Sequence, residues 1–264
     1  MIWGANMGGI EDTEITAAIL KRFMRDFEDV TNLDVAIAGA GPSGITAASF
    51  LASGGAKVAV FERNLHVGGG MWGGGILFSR VVIQEAAKVM LEEVGVKLKP
   101  TAAGYYTADS VEAVTKSTTA AVDAGARVMV GLTVEDVMIR EKDRVAGIAV
   151  NWKAVELAGL HVDPVGISAK IVIDATGHDA MIARIVQRKV PNAKFPTSTG
   201  GVVGEKPVWA EVGETEIVNN TREIYPGLIV TGMAANTVFG SPRMGPIFGG
   251  MLLSGRRAAE VALK

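Results

Sequence analysis

The stretch GLHVDPVGISAKIVIDATGHDA, residues 159–180, holds His161 and His178, two of the three histidines in the chain, together with Asp163, Asp174 and Asp179. None of the 264 residues is cysteine, which excludes disulfides, zinc–thiolate sites, iron–sulfur clusters and cysteine nucleophiles. Nitrogen and oxygen donors are what remain. His161 and Asp163 are two apart and share one side of an extended segment, and Pro164 then ends regular pairing. The apolar run AKIVIDATG is a strand that delivers His178 just past its carboxyl end, where α/β sheets place their ligands. Asp163 and His178 are therefore candidate ligands of a loosely held metal, met within one chain or across a subunit boundary. A hydrogen-bonded cluster or a surface loop would use the same residues. Asp179 is expected to cap or bond locally.

A second group of residues suits a dinucleotide. GAGPSG (39–44) fits G-x-G-x-x-G between a strand and a helix. Gly39 permits the tight turn, Gly41 admits a pyrophosphate, Gly44 allows close helix–strand packing, and the helix start offers amide donors. Glu62 ends the next strand, where a carboxylate accepts from ribose hydroxyls. The bland alternative is a tight turn without a ligand.

These residues must be positioned by alternating strands and helices. The apolar spacing predicts an amphipathic helix over 11–30, strands over 33–40 and 56–62, and an intervening helix over 42–55. HVGGGMWGGG (66–75) has too many glycines for a helix or strand interior, and its Met and Trp suggest a mobile lid or a subunit contact. Helices are expected at 79–94, 107–126 and 251–263. Several strands are expected within 127–152, and further strands at 170–177 and at the start of 228–236. No repeat or linker divides the chain, so one α/β domain over 1–264 is expected.

The composition sets limits. Hydrophobic residues make up 48% and charged residues 20%, enough for a large core, and the net charge of −2 gives no basic surface for nucleic acid. With no apolar run of membrane-spanning length and no signal peptide, the expectation is a cytoplasmic protein with small-molecule partners, no nucleic acid and no membrane.

ERNLHVGGG (62–70) extends the dinucleotide pattern with an arginine and a glycine pair. In this the chain resembles flavoproteins of the glutathione-reductase type, which implies a Rossmann-like dinucleotide-binding fold, a central parallel sheet with an added β-meander. Arg63 would contact the adenine side or a phosphate, or stay solvated. His66 reads as a loop residue. Where such flavoproteins carry a Gly-Asp pair late in the chain, this sequence has Gly232-Met233, which speaks against a bound flavin.

GAGPSG, FERNLHVGGGMWGGG, HVDP, DATGHD and GMAANTVFGSPRMGPIFGGMLLSG together resemble the thiamine thiazole synthases, and in particular the archaeal ones, along the whole chain. The resemblance implies that NAD, as substrate, loses nicotinamide, that the opened ADP-ribose rearranges and condenses with glycine, and that sulfur is then incorporated into an adenylated thiazole carboxylate. In many eukaryotic members a cysteine two residues before the Asp-Pro pair gives up its sulfur. Here that place is His161, so the resemblance implies free sulfide, Fe(2+) and multiple turnovers. By the same resemblance Asp163 and His178 would hold the iron, a donor pair that suits Fe(II). Arg243 would clamp the glycine carboxylate or, alternatively, satisfy loop carbonyls. His161 would line the pocket near the pyrophosphate or the sulfide path. Ser43, Gly70, Val134 and Met233 would flank the nucleotide, and the subunits would form a homo-octamer. The rival readings are an FAD-dependent oxidoreductase, a non-catalytic NAD-binding module and a sugar-phosphate isomerase.

Overall fold

The computed structural model describes residues 9–264, apart from the side chain of Lys142. Its strands are β1 (Asn32–Ala38), β2 (Val58–Glu62), β3 (Arg80–Gln84), β4 (Lys99–Pro100), β5 (Tyr105–Asp109), β6 (Arg127–Val130), β7 (Leu132–Arg140), β8 (Arg144–Trp152), β9 (Val165–Asp174), β10 (Arg222–Tyr225) and β11 (Leu228–Val230). The helices are α1 (Asp12–Asp29), α2 (Pro42–Ser53), α3 (Lys88–Glu92), α4 (Ser110–Asp123), α5 (Lys153–Leu157), α6 (Met181–Lys189), α7 (Ala210–Asn220), α8 (Met233–Phe239) and α9 (Gly249–Ala262).

The main sheet runs β10-β11-β9-β1-β2-β6, and β11, β9, β1, β2 and β6 are mutually parallel. Their registers align Val230 with Asp174, Asp174 with Ala38, Ala38 with Phe61, and Glu62 with Val130. All five strands thus end at one edge. In an open parallel sheet that edge is where ligands bind. The first half of β9 also pairs antiparallel with β8, and β8 with β7, which is the expected meander.

Burial on both faces follows from strand alternation. Val35 and Ile37 of β1 pack with Ile45 and Leu51 of α2 and Ala258 and Ala259 of α9. Ala36 and Ala38 face the other way, into a core shared with the meander and with Ile182 and Val186 of α6. Helices α2 and α9 approach so closely that a Cβ on Gly255 would lie 2.4 Å from the Ser43 carbonyl oxygen.

The structure corrects several expectations. The helix expected over 79–94 begins as β3, pairing antiparallel with β5, and only Lys88–Glu92 is α-helical. The Val81–Ile83 run prefers a pleated, half-buried surface, and the partner strand decides the matter. Likewise, the first residues of the 107–126 helix belong to β5. The strand expected at 170–177 ends at Asp174, and β11 gives way after Val230 to a turn and then α8. Helices α5, α6 and α7 lie where no helix was expected. Met71, expected in a mobile lid or a subunit contact, is buried with Val81, Leu91 and Phe248, and Trp72 packs against the same cluster. Among the described residues no helix is long and apolar enough to cross a membrane.

Candidate active site

The carboxyl ends of β1, β2 and β9, with the loops beyond them, enclose a cleft of about 710 Å³, a size typical of small-molecule sites. At one end lies the first glycine turn. Gly39 has φ +101°, and a Cβ there would meet the Ala175 carbonyl oxygen at 2.5 Å, while a Cβ on Gly44 would meet the Gly39 carbonyl oxygen at 2.0 Å. Both positions require glycine. Gly41 differs: among the described residues nothing lies within 4 Å of its Cβ position, and it lines the cleft. A ligand phosphate can therefore reach the backbone at the start of α2, where unpaired amides and the helix dipole favour an anion.

Glu62 is fixed beside this turn. The Ala40 amide donates to its Oε2 at 2.9 Å, and the Asn64 amide and Nδ2 both donate to Oε1 at 2.9 Å. Three donors hold the buried carboxylate, which keeps accepting capacity on Oε2 for a hydroxyl. The second glycine stretch closes over the turn, with the Cβ position of Gly69 only 3.3 Å from the Gly41 Cα.

The far end of the cleft is organised by β9. The fully buried Asp174 carboxylate accepts from the Thr176 amide (3.0 Å), the Thr176 hydroxyl (2.6 Å) and the Ala183 amide (2.9 Å). Burial pushes its pKa up, and these donors oppose that rise. The Thr176 oxygen in turn accepts from the Met181 amide at 2.7 Å. This network ties the short turn Gly177–Asp179 to the start of α6 and presents His178, half exposed, to the cleft.

His178 Nδ1 lies 2.5 Å from Glu205 Oε1. The Thr237 hydroxyl is 3.0 Å from the same oxygen and 3.1 Å from the His178 carbonyl. The other Glu205 oxygen, Oε2, is 3.7 Å from Arg243 Nε. The Arg243 backbone is pinned on both sides, its amide donating to Lys206 O at 3.2 Å and its carbonyl accepting from Trp209 N at 3.0 Å. Its half-exposed guanidinium reaches the cleft.

Of the residues expected from sequence, Gly39, Gly41, Ser43, Glu62, Arg63, Gly70, Val134, His178, Met233 and Arg243 line this one cleft, as do His66 and Asp179. Gly44 lies just beneath it as packing. Val134 sits inside β7. Arg63 is half exposed and 3.9 Å from both Asp179 Oδ2 and Met181 Sδ. Met233, with Met244 and Met251, gives the cleft an apolar wall. His161 and Asp163 stand apart: they are exposed on the segment before β9 and do not line the cleft of their own chain. Among the described residues no three His, Asp or Glu side chains of one chain gather as a metal cluster. Sequence reasoning missed Glu205, Thr237, Asp174 and Asn64. Only the short spacing of Asp174 and Thr176 to His178 was a signal for any of them.

Residues 16–248 match the Thi4 family. The chain belongs to that family. It is 52% identical over 255 residues to the thiamine thiazole synthase of Methanothrix thermoacetophila, covering 97% of each protein. It is 49% identical to that of Pyrococcus horikoshii, covering 97% of this chain and 98% of the relative. Among solved structures, that of THI4 from Thermovibrio ammonificans superposes with a TM-score of 0.94 at 48% identity, over 97% of this chain and 98% of the other. Thi4 membership accounts for the mixed α/β architecture and its mostly parallel sheet.

Proposed function

We propose that this protein is a thiamine thiazole synthase that converts NAD, glycine and free sulfide into an adenylated thiazole carboxylate with Fe(II), turning over repeatedly. The observation that carries the reading is the continuity of one cleft from the Gly41 backbone to His178 and Arg243. The start of α2 would hold the pyrophosphate, Glu62 a ribose diol, and β7 around Val134 the adenine. Ser43 and Gly70 flank the same path. Arg243 offers a planar fork suited to the glycine carboxylate.

The donor set fits Fe(II) as a pair of ligands, His178 and Asp163, with the second supplied by another copy of the chain. Two features support that sharing. Asp163 and His161 lie on an exposed segment carrying Leu157, Leu160 and Val162, while the cleft side of the chain exposes Leu65, Ile76, Leu77 and Phe78. Each patch leaves apolar surface for a subunit contact to cover. Helix α1 adds a third, exposing Ile15, Ile19, Leu20 and Met24, in keeping with a homo-octamer. Fe(II) held there would supply Lewis acidity and open coordination positions for sulfide. With no cysteine in the chain, no thiol of this chain can supply the sulfur, which supports an external sulfide.

Incubation of the protein with NAD, glycine, sulfide and Fe(II) under anaerobic conditions, followed by mass spectrometry, is expected to yield the adenylated thiazole over many cycles. Recovery of intact NAD with every cosubstrate present would overturn the proposal in favour of a binding module. His178→Ala is expected to abolish both product and iron binding.

A further inference from the structure

We propose that Glu205 is a positioning residue, holding His178 in the tautomer that turns its Nε2 lone pair into the cleft and steadying Arg243 with its other oxygen. The inference rests on the roles proposed above for His178 and Arg243. A carboxylate only accepts hydrogen bonds, so the ring nitrogen 2.5 Å from Glu205 Oε1 must be the N–H. In the neutral ring Nε2 is then the unprotonated nitrogen, the form in which imidazole binds a metal, and a carboxylate behind a ligating histidine fixes ring orientation and raises basicity.

Glu205 is itself held firmly. The Thr237 hydroxyl lies 3.0 Å from its Oε1, and Thr237 is buried. Backbone bonds bracket the residue on both sides: Gly204 N donates to Thr237 O at 2.9 Å, Lys206 N to Ser241 O at 3.1 Å, and Arg243 N to Lys206 O at 3.2 Å. The segment is thereby zipped between α8 and the Arg243 loop. Oε2 faces Arg243 Nε at 3.7 Å, which leaves the outer edge of the guanidinium free for a substrate carboxylate. One side chain therefore sets the direction of both proposed binding groups.

The test begins with metal-free protein. Nitrogen-15 NMR of the neutral His178 ring, assigned with a His178→Asn variant, is expected to show the Nδ1–H tautomer; finding Nε2–H in the wild type overturns the proposal before any substitution at Glu205. Glu205→Ala removes the acceptor and is expected to shift the ring towards Nε2–H and to weaken Fe(II) binding, titrated anaerobically, by roughly 10- to 100-fold. Glu205→Gln keeps an oxygen acceptor and is expected to restore both readouts most of the way. If Glu205→Ala matches the wild type, or Glu205→Gln falls as far as Glu205→Ala, the positioning role is wrong. The tautomer measurement needs no metal, so it judges Glu205 even if His178→Ala shows that iron binds elsewhere.

Discussion

The turn at Gly39–Gly44 and the exposed segment from Leu157 to Pro164 carry the two ends of the proposed chemistry, and they are built differently. In the turn, backbone groups and close contacts within the same chain define the surface: Gly39 and Gly44 are sealed by carbonyl oxygens, and Glu62 is tied by three donors. In the later segment the backbone is anchored, with Asn151 Nδ2 donating to Val162 O at 3.0 Å, but the side chains project outward and Leu157 is 77% exposed. The first region is finished by folding. The second presents exposed groups whose proposed use as metal ligands requires another surface. A binding site for the nucleotide can therefore exist in one subunit, whereas the iron site, as proposed, forms on assembly.

That contrast can be broken at either end. The largest effect is expected from Gly44→Ala, whose Cβ would lie 2.0 Å from a backbone oxygen. Overpacking of this kind costs about 1–3 kcal/mol, so denaturant unfolding should show the loss and calorimetry with NAD should show no binding. Near wild-type NAD affinity would mean that the turn does not shape the site. Asp163→Ala comes next. Because the side chain is exposed, stability should change by no more than about 0.5 kcal/mol, and NAD should still bind, while Fe(II) binding is lost. A variant that binds iron as the wild type does removes Asp163 from the ligand pair.

The smallest effect is expected at Glu214, which lies away from both regions beneath α9. Its Oε2 accepts from the Gly250 amide at 2.7 Å, and burial pushes its pKa up against the opposing pull of that amide and of Gln84. A carboxyl whose folded pKa is raised binds more protons folded than unfolded, so its contribution to stability is full below the ordinary carboxylate range and is lost as pH rises through the folded pKa. Glu214→Gln removes the titration. It should leave low-pH stability nearly unchanged and be relatively more stable at neutral pH, by about 0.5–1.5 kcal/mol, with NAD and iron binding intact. Thermal unfolding across pH checks this.

Much of the architecture was legible because its signals are local. The βαβ unit, the buried β9 ending before His178 and the closing helix follow from apolar periodicity and glycine punctuation. The misread elements show where local signals stop. RVVIQEAAKVMLEEV contains both a β-branched run and a helix-forming run, and only pairing with β5 assigns the first of them to a strand. Met71 and Trp72 stand in a glycine-rich stretch that looks mobile, yet the stretch closes on the cluster around Val81 and Phe248.

By itself, the sequence determined the absence of thiol chemistry, the glycine turn with its trailing Glu62, and the arrival of His178 at a strand's carboxyl end, because each depends on residue type or on neighbours a few positions apart. Only the tertiary structure decided that Glu205 backs His178 across 27 residues, that Arg243 shares its carboxylate, and that His161 and Asp163 do not line their own cleft. Such contacts join segments that lie beside one another only after the sheet and α8 have packed. No spacing along the chain encodes them.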